Sequence, residues 1–242
     1  FWTGYVICES IIKKWREVGV RYIVTSQEGM TNVLAVLLKW QFRFPLQIQV
    51  HTDFLSPYYN IGWGRTFIQK VGYKLGIKYA DSVRVVSERI KESLTQRYEV
   101  KPSKIVVLPI WVDITKFQLG KITNANNLKL KYPQFNFIAL IIARLEPEKS
   151  IETVIIAMTD VVQKHKEAGL VIVGEGSLDK KLRRLVRAHK LENHIKFEPW
   201  TDDTVSYYKT CNVFVLSSLF EGYGLTLIEA VASGAPIITT PV

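Results

Sequence analysis

Two glutamates, Glu221 and Glu229, stand eight positions apart around a glycine-rich turn. The residues before the turn, 213–216, are apolar and rich in β-branched and aromatic side chains, which is typical of a buried parallel strand. Residues 225–233 after it are typical of a helix. A carboxylate only accepts hydrogen bonds, so each glutamate can accept from the hydroxyl groups of a sugar. Because free N–H groups at a helix start attract anions, we expect this segment to hold a polyol joined to a diphosphate.

A second candidate loop carries two cations, Arg144 and Lys149, directly after an apolar run at 137–142. Arginine offers a planar fork for phosphate oxygens and lysine a mobile point charge, so together they can neutralise a leaving diphosphate. No Asp-x-Asp triplet and no Cys-x-x-Cys pair occurs in the sequence, so we expect neither a metal site nor a cofactor. The alternative for each of these charges, taken alone, is a solvated surface side chain.

Strand and helix patterns alternate along the second half of the chain. Strands are predicted at 137–142, 170–173, 195–197, 213–216 and 236–239, and helices at 150–166, 178–189, 203–211 and 225–233. Such alternation predicts right-handed βαβ units and a doubly wound parallel sheet. Ligands of these sheets bind beyond the carboxyl ends of the strands, which is where Arg144, Gly174 and Glu221 fall.

The first half follows the same alternation. Strands are predicted at 22–25, 46–50, 82–86 and 105–108, and helices at 8–18, 31–42, 66–79 and 88–98. We therefore predict an α/β chain of two Rossmann-like domains, residues 1–117 and 118–242, facing across a cleft. Residues 116–131 are short of large apolar side chains, and we predict the interdomain linker there.

The glycine-rich segment reads E-G-Y-G-L-T-L-I-E-A, and A-S-G-A-P-I-I-T-T follows shortly behind it. It resembles the E-x7-E signature of retaining GT-B glycosyltransferases, in particular glycosyltransferase family 4. The resemblance implies that Glu221 contacts the sugar of a nucleotide-sugar donor and that Glu229 contacts its ribose. The backbone implied to contact sugar and phosphate belongs to Gly222, Tyr223, Gly224, Leu225 and Thr226.

Other segments of the second half share the resemblance. The family's R-L-x-x-x-K-G pattern aligns Arg144 and Lys149 with its diphosphate ligands, but Ser150 stands where the family has glycine. Gly174 belongs to a segment similar to the V-G-x-G loop, which lacks the third glycine of a dinucleotide fingerprint. Trp200 falls where the family cradles the base, and a core position is the alternative for it.

On the acceptor side, His51 follows the predicted strand 46–50, at a place where the family commonly has a histidine facing the acceptor. The alternatives are a structural histidine at 51 and a loop cap at Asp53. Residues 108–113 read L-P-I-W-V-D where the family usually reads I-P-N-G-V-D, so an Asn-Gly turn is replaced by Ile-Trp.

The net charge of +10 is concentrated in residues 1–120, which hold 17 Lys and Arg against 9 Asp and Glu. Lys70, Lys74 and Lys78 recur every four residues beside an apolar row and predict one basic face on a helix. This face is either simply solvated or makes a peripheral contact with an anionic membrane or a lipid-linked phosphate acceptor. We do not expect nucleic acid as a partner.

The resemblance implies a metal-independent hexosyltransferase that moves a sugar from a nucleoside diphosphate sugar, with UDP or GDP, to a hydroxyl of a glycan or lipid-linked acceptor. Retention is implied, through a front-face mechanism assisted by the leaving phosphate. We expect a cytoplasmic location, also at the inner face of the cytoplasmic membrane, and a role in cell-envelope polysaccharide biosynthesis. Relative to the family, the start of the first domain and the end of the second are missing, which leaves the activity of this stretch alone open.

Two other classes of function remain open from the sequence. A nucleotide-sugar epimerase on the same scaffold would need further carboxylates around the ligand. A non-catalytic module that binds sugar nucleotides or nucleic acid would keep the basic surface without turnover.

Overall fold

The computed structural model describes residues 2–27, 29–59 and 62–242. By its internal contacts the chain divides into two units, Phe1–Ile110 and Trp111–Val242, which we call the first and the second unit. Each contains a parallel sheet with helices between successive strands, so the predicted α/β architecture of two parallel-sheet domains is confirmed. The domain boundary predicted between residues 117 and 118 stays a prediction.

The elements of the first unit, in chain order, are α1 (Trp2–Glu17), β1 (Val24–Ser26), α2 (Gly29–Phe42), β2 (Leu46–Val50), α3 (Trp63–Tyr79), β3 (Ser82–Val85), α4 (Glu88–Tyr98) and β4 (Ile105–Val107). The strands are parallel in the order β1-β2-β3-β4, and Val50 pairs with Val85 at the carboxyl ends of β2 and β3. Alternate residues of these two strands are buried, because one side of each strand packs into the core.

The elements of the second unit are α5 (Ile114–Leu119), α6 (Leu128–Lys131), β5 (Phe137–Ile142), α7 (Ile151–Lys164), β6 (Ala168–Val173), α8 (Asp179–Ala188), β7 (Ile195–Glu198), α9 (Thr204–Thr210), β8 (Val213–Leu216), α10 (Leu225–Ala232) and β9 (Ile237–Thr239). The parallel order is β7-β6-β5-β8-β9. The chain progresses outward from β5 to β7 and then returns to the other side of β5 with β8. That reversal is the topological switch point, beside which ligands of doubly wound sheets bind.

The sheet of the second unit is covered on both faces, which explains the apolar runs of β5 and β6. On one face, Leu140 and Phe214 pack with helices α5, α9 and α10. On the other face, Ile141 and Ile172 pack with helices α7 and α8. The strands are thereby fixed, and the loops at their carboxyl ends have a rigid base.

The prediction of a linker at residues 116–131 is wrong. Phe117 and Leu128 are buried in the core of the second unit, and the Lys209 ammonium donates to the carbonyl oxygens of Gln118 at 2.8 Å and Gly120 at 2.7 Å. A few large apolar side chains are enough to pack this polar segment against the sheet. The prediction relied on the low average hydrophobicity of the segment and overlooked these single side chains.

Candidate functional site

The loops after β5 and β8 meet at the switch point of the second unit. The Lys149 ammonium lies 2.6 Å from Oε1 of Glu221. The Ser217 hydroxyl donates to the Lys149 carbonyl at 2.8 Å, and the Leu219 N–H donates to the Glu148 carbonyl at the same distance. The two loops that the sequence predicted separately therefore form one site, in which a cation and a carboxylate are paired.

Glu221 is held by one of its oxygens and not by the other. Oε1 accepts from both the Lys149 ammonium and the Ser218 hydroxyl, the latter at 2.7 Å. Oε2 has no hydrogen-bond partner among the residues that the structure describes. The side chains of Lys149 and Glu221 are only 15% and 16% exposed, so the pair is partly shielded from water. Such a carboxylate has an oriented acceptor oxygen for the hydroxyl group of a ligand.

Helix α10 begins beside this pair with an open amino end. Its N-cap, Gly224, has a left-handed backbone with φ of 73° and provides no side-chain cap. The N–H groups of the first turn of an α-helix have no partner within the helix. The turn from Gly222 to Thr226 thus presents backbone donors and the positive end of the helix dipole, which together favour an anion.

Glu229 lies one turn into α10, and Oε2 accepts a hydrogen bond from the Tyr208 hydroxyl at 3.0 Å. Burial raises the pKa of Glu229 above its ordinary value, although the hydrogen bond from Tyr208 and the charge of Lys116 partly oppose the rise. Burial, and then the Glu229 charge, raise the pKa of Tyr208 as well, so its hydroxyl stays protonated as a donor. Sequence reasoning missed Tyr208, because nothing in its neighbourhood marks it as a partner of Glu229.

Gly174 brings the loop after β6 against the loop after β5. Its φ of 140° is a glycine conformation, and a Cβ there would lie 2.0 Å from the Ala143 carbonyl oxygen. The Leu145 N–H donates to the Glu175 carbonyl at 2.8 Å, which joins the same two loops. Gly174 is therefore required for the close approach of these loops, and its contact with a ligand stays a prediction.

Arg144 shares a loop with Lys149 but has a different partner. Its guanidinium lies 3.0 Å from Oε1 of Glu148, and its side chain is 73% exposed. Ser150, which replaces the expected glycine, has a left-handed backbone with φ of 47° at the start of α7. The position thus retains the conformation that a glycine would adopt.

The loop after β7 carries Trp200 and follows Glu198, a buried glutamate at the end of β7. Burial disfavours the charge on Glu198, but hydrogen bonds from Lys131, Tyr132 and Tyr207 hold its pKa below the ordinary value. The Tyr207 hydroxyl lies 3.1 Å from Oε2 of Glu198. Trp200 itself is 53% exposed, so of the two alternatives the core position does not apply. Sequence reasoning missed the role of Glu198, because its partners do not adjoin it in sequence and lie on α6, just after α6 and on α9.

In the first unit, His51 follows the carboxyl end of β2. Its Nε2 lies 3.2 Å from the side-chain oxygen of Gln49. Burial and the charge of Arg84 lower the pKa of His51, so the imidazole is neutral at pH 7. Asp53 is buried, and its Oδ1 accepts from the Leu55 N–H at 3.2 Å. Asp53 therefore caps its own loop, which was the alternative considered for it from the sequence.

Within residues 2–27, 29–59 and 62–242, no three His, Cys, Asp or Glu side chains are arranged to hold a metal ion. In these same ranges, no helix has the length and apolar character needed to cross a membrane.

Comparison with known proteins adds two family matches that together cover most of the chain. The model "Glycosyl transferases group 1" matches residues 125–242, and "Glycosyl transferase 4-like domain" matches residues 9–111. Alpha-monoglucosyldiacylglycerol synthase of Streptococcus pneumoniae is 26% identical over 225 residues, which are 89% of this chain and 51% of that protein. An uncharacterized glycosyltransferase of Methanocaldococcus jannaschii is 30% identical over 173 residues, 70% and 42% of the two chains. The chain thus spans about half the length of these curated relatives.

Among solved structures, HepE of Anabaena in complex with UDP-glucose matches with a TM-score of 0.77 at 21% identity. The match covers 96% of this chain and 62% of HepE. At this identity the likeness shows the fold.

Proposed function

The chain belongs to the GT-B glycosyltransferases, and on that premise we propose that it transfers a sugar from a nucleoside diphosphate sugar to a hydroxyl acceptor. The observation that supports this most strongly is the pair of Lys149 and Glu221, 2.6 Å apart beside the amino end of α10. A sugar diphosphate needs a carboxylate for its hydroxyl groups and positive charge for its phosphates, and this site offers both.

The donor would bind along the carboxyl ends of β5, β8 and β7. In the proposed mode, Glu221 accepts from the sugar hydroxyls and Glu229 from the ribose, while the backbone of Gly222, Tyr223, Gly224, Leu225 and Thr226 donates to phosphate and sugar. Gly174 and the exposed Trp200 would flank the nucleotide. Because HepE was solved with UDP-glucose, we favour UDP over GDP as the nucleotide.

In the reaction, the bond between the anomeric carbon and the diphosphate oxygen breaks, and a bond from the acceptor oxygen to that carbon forms on the same face. In the proposed scheme the acceptor hydroxyl gives its proton to the leaving phosphate oxygen, and the anomeric configuration would be retained without a carboxylate nucleophile. Lys149, Arg144 and the N–H groups of α10 stabilise the departing negative charge, so no metal ion is needed for this step. Glu221 serves as a sugar ligand in this scheme.

His51 would lie on the acceptor side and orient the hydroxyl that attacks. Since the imidazole is neutral at pH 7, one ring nitrogen can accept a hydrogen bond from that hydroxyl. The acceptor would be a glycan or a lipid-linked molecule. The name of the S. pneumoniae relative, alpha-monoglucosyldiacylglycerol synthase, supports a lipid.

Helix α3 supports a peripheral contact with an anionic membrane, at the cytoplasmic face. Phe67 is 66% exposed, and Ile68 and Val71 are exposed on the same stripe, next to Lys74 and Lys78. An amphipathic helix of this kind lies on a membrane surface by combined apolar and electrostatic attraction.

The test is a panel of UDP- and GDP-sugars incubated with the full-length protein and either a diacylglycerol or a glycan acceptor, with EDTA added to one series. We expect glycoside formation with one UDP-sugar, undiminished by EDTA, and loss of at least about 100-fold in Lys149→Ala. Epimerised nucleotide sugar without transfer would support the epimerase alternative. Binding of nucleotide sugar without any turnover would support the non-catalytic module.

A further inference from the structure

A second concave site lies in the first unit, between the second half of α3, the end of α4 and the loop that leads into β4. This pocket has a volume of about 540 Å³. Helix α3 leads into the amino end of β3, and the loop after α4 leads into the amino end of β4. His51, in contrast, follows the carboxyl end of β2, and all these strands are parallel. The pocket therefore lies at the opposite end of this sheet from the residue proposed to face the acceptor.

The lining of the pocket is strongly basic. Its charged residues are five cations and one acid: Lys74, Lys78, Arg97, Lys101, Lys104 and Glu99. Within the described part of the chain, none of these five cations forms an ion pair with a carboxylate. Like charges gathered in one concavity repel each other and concentrate a positive potential, which an entering anion would relieve.

Two of the cations are held in place by backbone carbonyl groups. The Lys104 ammonium donates to the carbonyl oxygens of Ile77 at 2.7 Å and Lys78 at 3.2 Å, at the end of α3. The Arg97 guanidinium donates to the Leu55 carbonyl. An ammonium has three N–H donors and a guanidinium has five, so both retain donors for a ligand. These two groups need little reorganisation to bind an anion.

Lys78 and Lys101 add two exposed cations, which lie on different elements that face the same concavity. Buried apolar residues, Ile77 and Val100, form part of its wall. A guanidinium and several ammonium groups surround this cavity. A phosphate ester, with several charged oxygens, fits such a lining better than a ligand with a single carboxylate does.

We propose that this pocket binds a ligand through its phosphate groups, with Arg97, Lys104, Lys78 and Lys101 as the donors. The phosphate belongs either to a lipid headgroup or to a phosphorylated molecule in solution. This site is separate from the donor site of the second unit, and its existence does not depend on the proposed transfer reaction.

The test compares two double variants of the full-length protein that lose the same charge. Lys78→Gln with Lys101→Gln removes two exposed donors from the pocket, whereas Lys14→Gln with Lys166→Gln removes two exposed lysines that lie outside both the pocket and helix α3. Inorganic pyrophosphate is titrated calorimetrically in the presence of saturating UDP, so that the donor site is occupied. A second arm measures sedimentation with phosphatidylcholine vesicles that contain or lack phosphatidic acid.

We expect the pocket variant to weaken one of these two interactions by about tenfold or more, and the control variant to leave it nearly unchanged. Weakening in the pyrophosphate arm identifies a soluble phosphate ligand, and weakening in the vesicle arm alone identifies a lipid headgroup. Equal effects of both variants in both arms would overturn the proposal, because they would indicate only a general positive field. No binding of either probe to the unchanged protein would overturn it as well. Circular dichroism and thermal unfolding like those of the unchanged protein confirm that both variants are folded. Absence of UDP binding by the unchanged protein would refute the proposed function alone.

Discussion

Glu229 lowers the stability of the folded protein but offers a carboxylate for ligand binding. Its carboxylate is partly buried, and the Tyr208 hydroxyl 3.0 Å away fixes Oε2. Oε1 has no hydrogen-bond partner in the part of the chain that the structure describes, so it is available for a ligand. Because burial raises its pKa, the charged form is less favourable in the folded protein than in the unfolded chain. Enzymes commonly contain binding-site residues that lower the stability of the folded state.

Glu229→Gln is therefore expected to stabilise the protein at pH 7 and to weaken UDP binding. The folded pKa lies above the ordinary value of 4.5, so the folded state binds more protons and its stability falls as the pH rises through this range. The gain from glutamine should amount to roughly 2 °C in Tm at pH 7 and vanish below the ordinary pKa. Calorimetric scans at several pH values measure it.

The matched control is Glu192→Gln, an exposed glutamate just before β7. It should alter neither Tm nor UDP affinity, whereas Glu229→Gln should lower UDP affinity about fivefold, since a neutral acceptor forms weaker hydrogen bonds than a carboxylate. Destabilisation by Glu229→Gln at pH 7 would contradict the view that burial disfavours its charge.

The partners of the site residues could not be predicted from sequence. Glu221 and Lys149 were both identified, but their ion pair joins residues 72 positions apart and depends on the crossing of two loops. The same applies to Tyr208 with Glu229 and to Lys131 with Glu198. A motif indicates which residue types a reaction needs, whereas their partners follow from packing between elements that no local pattern records.

Among the elements, the strands were the most predictable. The runs at 137–142 and 213–216 match β5 and β8 residue for residue, because strands buried on both faces are apolar throughout. The linker prediction at 116–131 failed for the complementary reason. Its helices α5 and α6 are short, and single buried side chains such as Phe117 and Leu128 hold them to the sheet.

The contact between the loops after β5 and β6 depends on Gly174, and Gly174→Ala tests it. The new Cβ would lie 2.0 Å from a backbone carbonyl oxygen that cannot move without displacing β5. We expect a loss of about 3 kcal/mol or more in the free energy of unfolding, measured by urea titration.

The control for this substitution is Gly234→Ala in the same unit. Gly234 also has a positive φ, of 78°, but nothing lies within 4 Å of the added Cβ. Its cost should be limited to about 1–2 kcal/mol of backbone strain. Equal costs at both positions would show that the loop contact contributes nothing beyond strain.

For the whole molecule, the two units have separate cores and carry different candidate sites. The second unit holds the paired Lys149 and Glu221, and the first holds His51 and the basic pocket. From the sequence, the alternation of strands and helices predicted two units, and the charge asymmetry predicted a basic first half. The sequence could not predict the basic pocket, because Lys74, Arg97 and Lys101 come together only through the packing of α3 on the neighbouring chain segments.

Amide hydrogen exchange, measured with and without UDP, should show which of the two units binds the nucleotide. We expect slower exchange of amides in the loops at 143–150 and 217–228, because bound phosphate and ribose accept from or cover these groups. The core amides of β2 and β3 in the first unit should exchange at an unchanged rate. Protection confined to the first unit would show that UDP binds elsewhere.

The most direct measurement is a calorimetric comparison of UDP and the matching UDP-sugar on the unchanged protein, Lys149→Ala and Glu221→Gln. We predict that Lys149→Ala weakens both ligands by about tenfold or more, since it loses a charge-assisted contact with the diphosphate. Glu221→Gln should bind UDP at least as tightly as the unchanged protein but lose the extra affinity for the sugar. If both variants bind both ligands with the affinities of the unchanged protein, the Lys149–Glu221 site does not hold the donor.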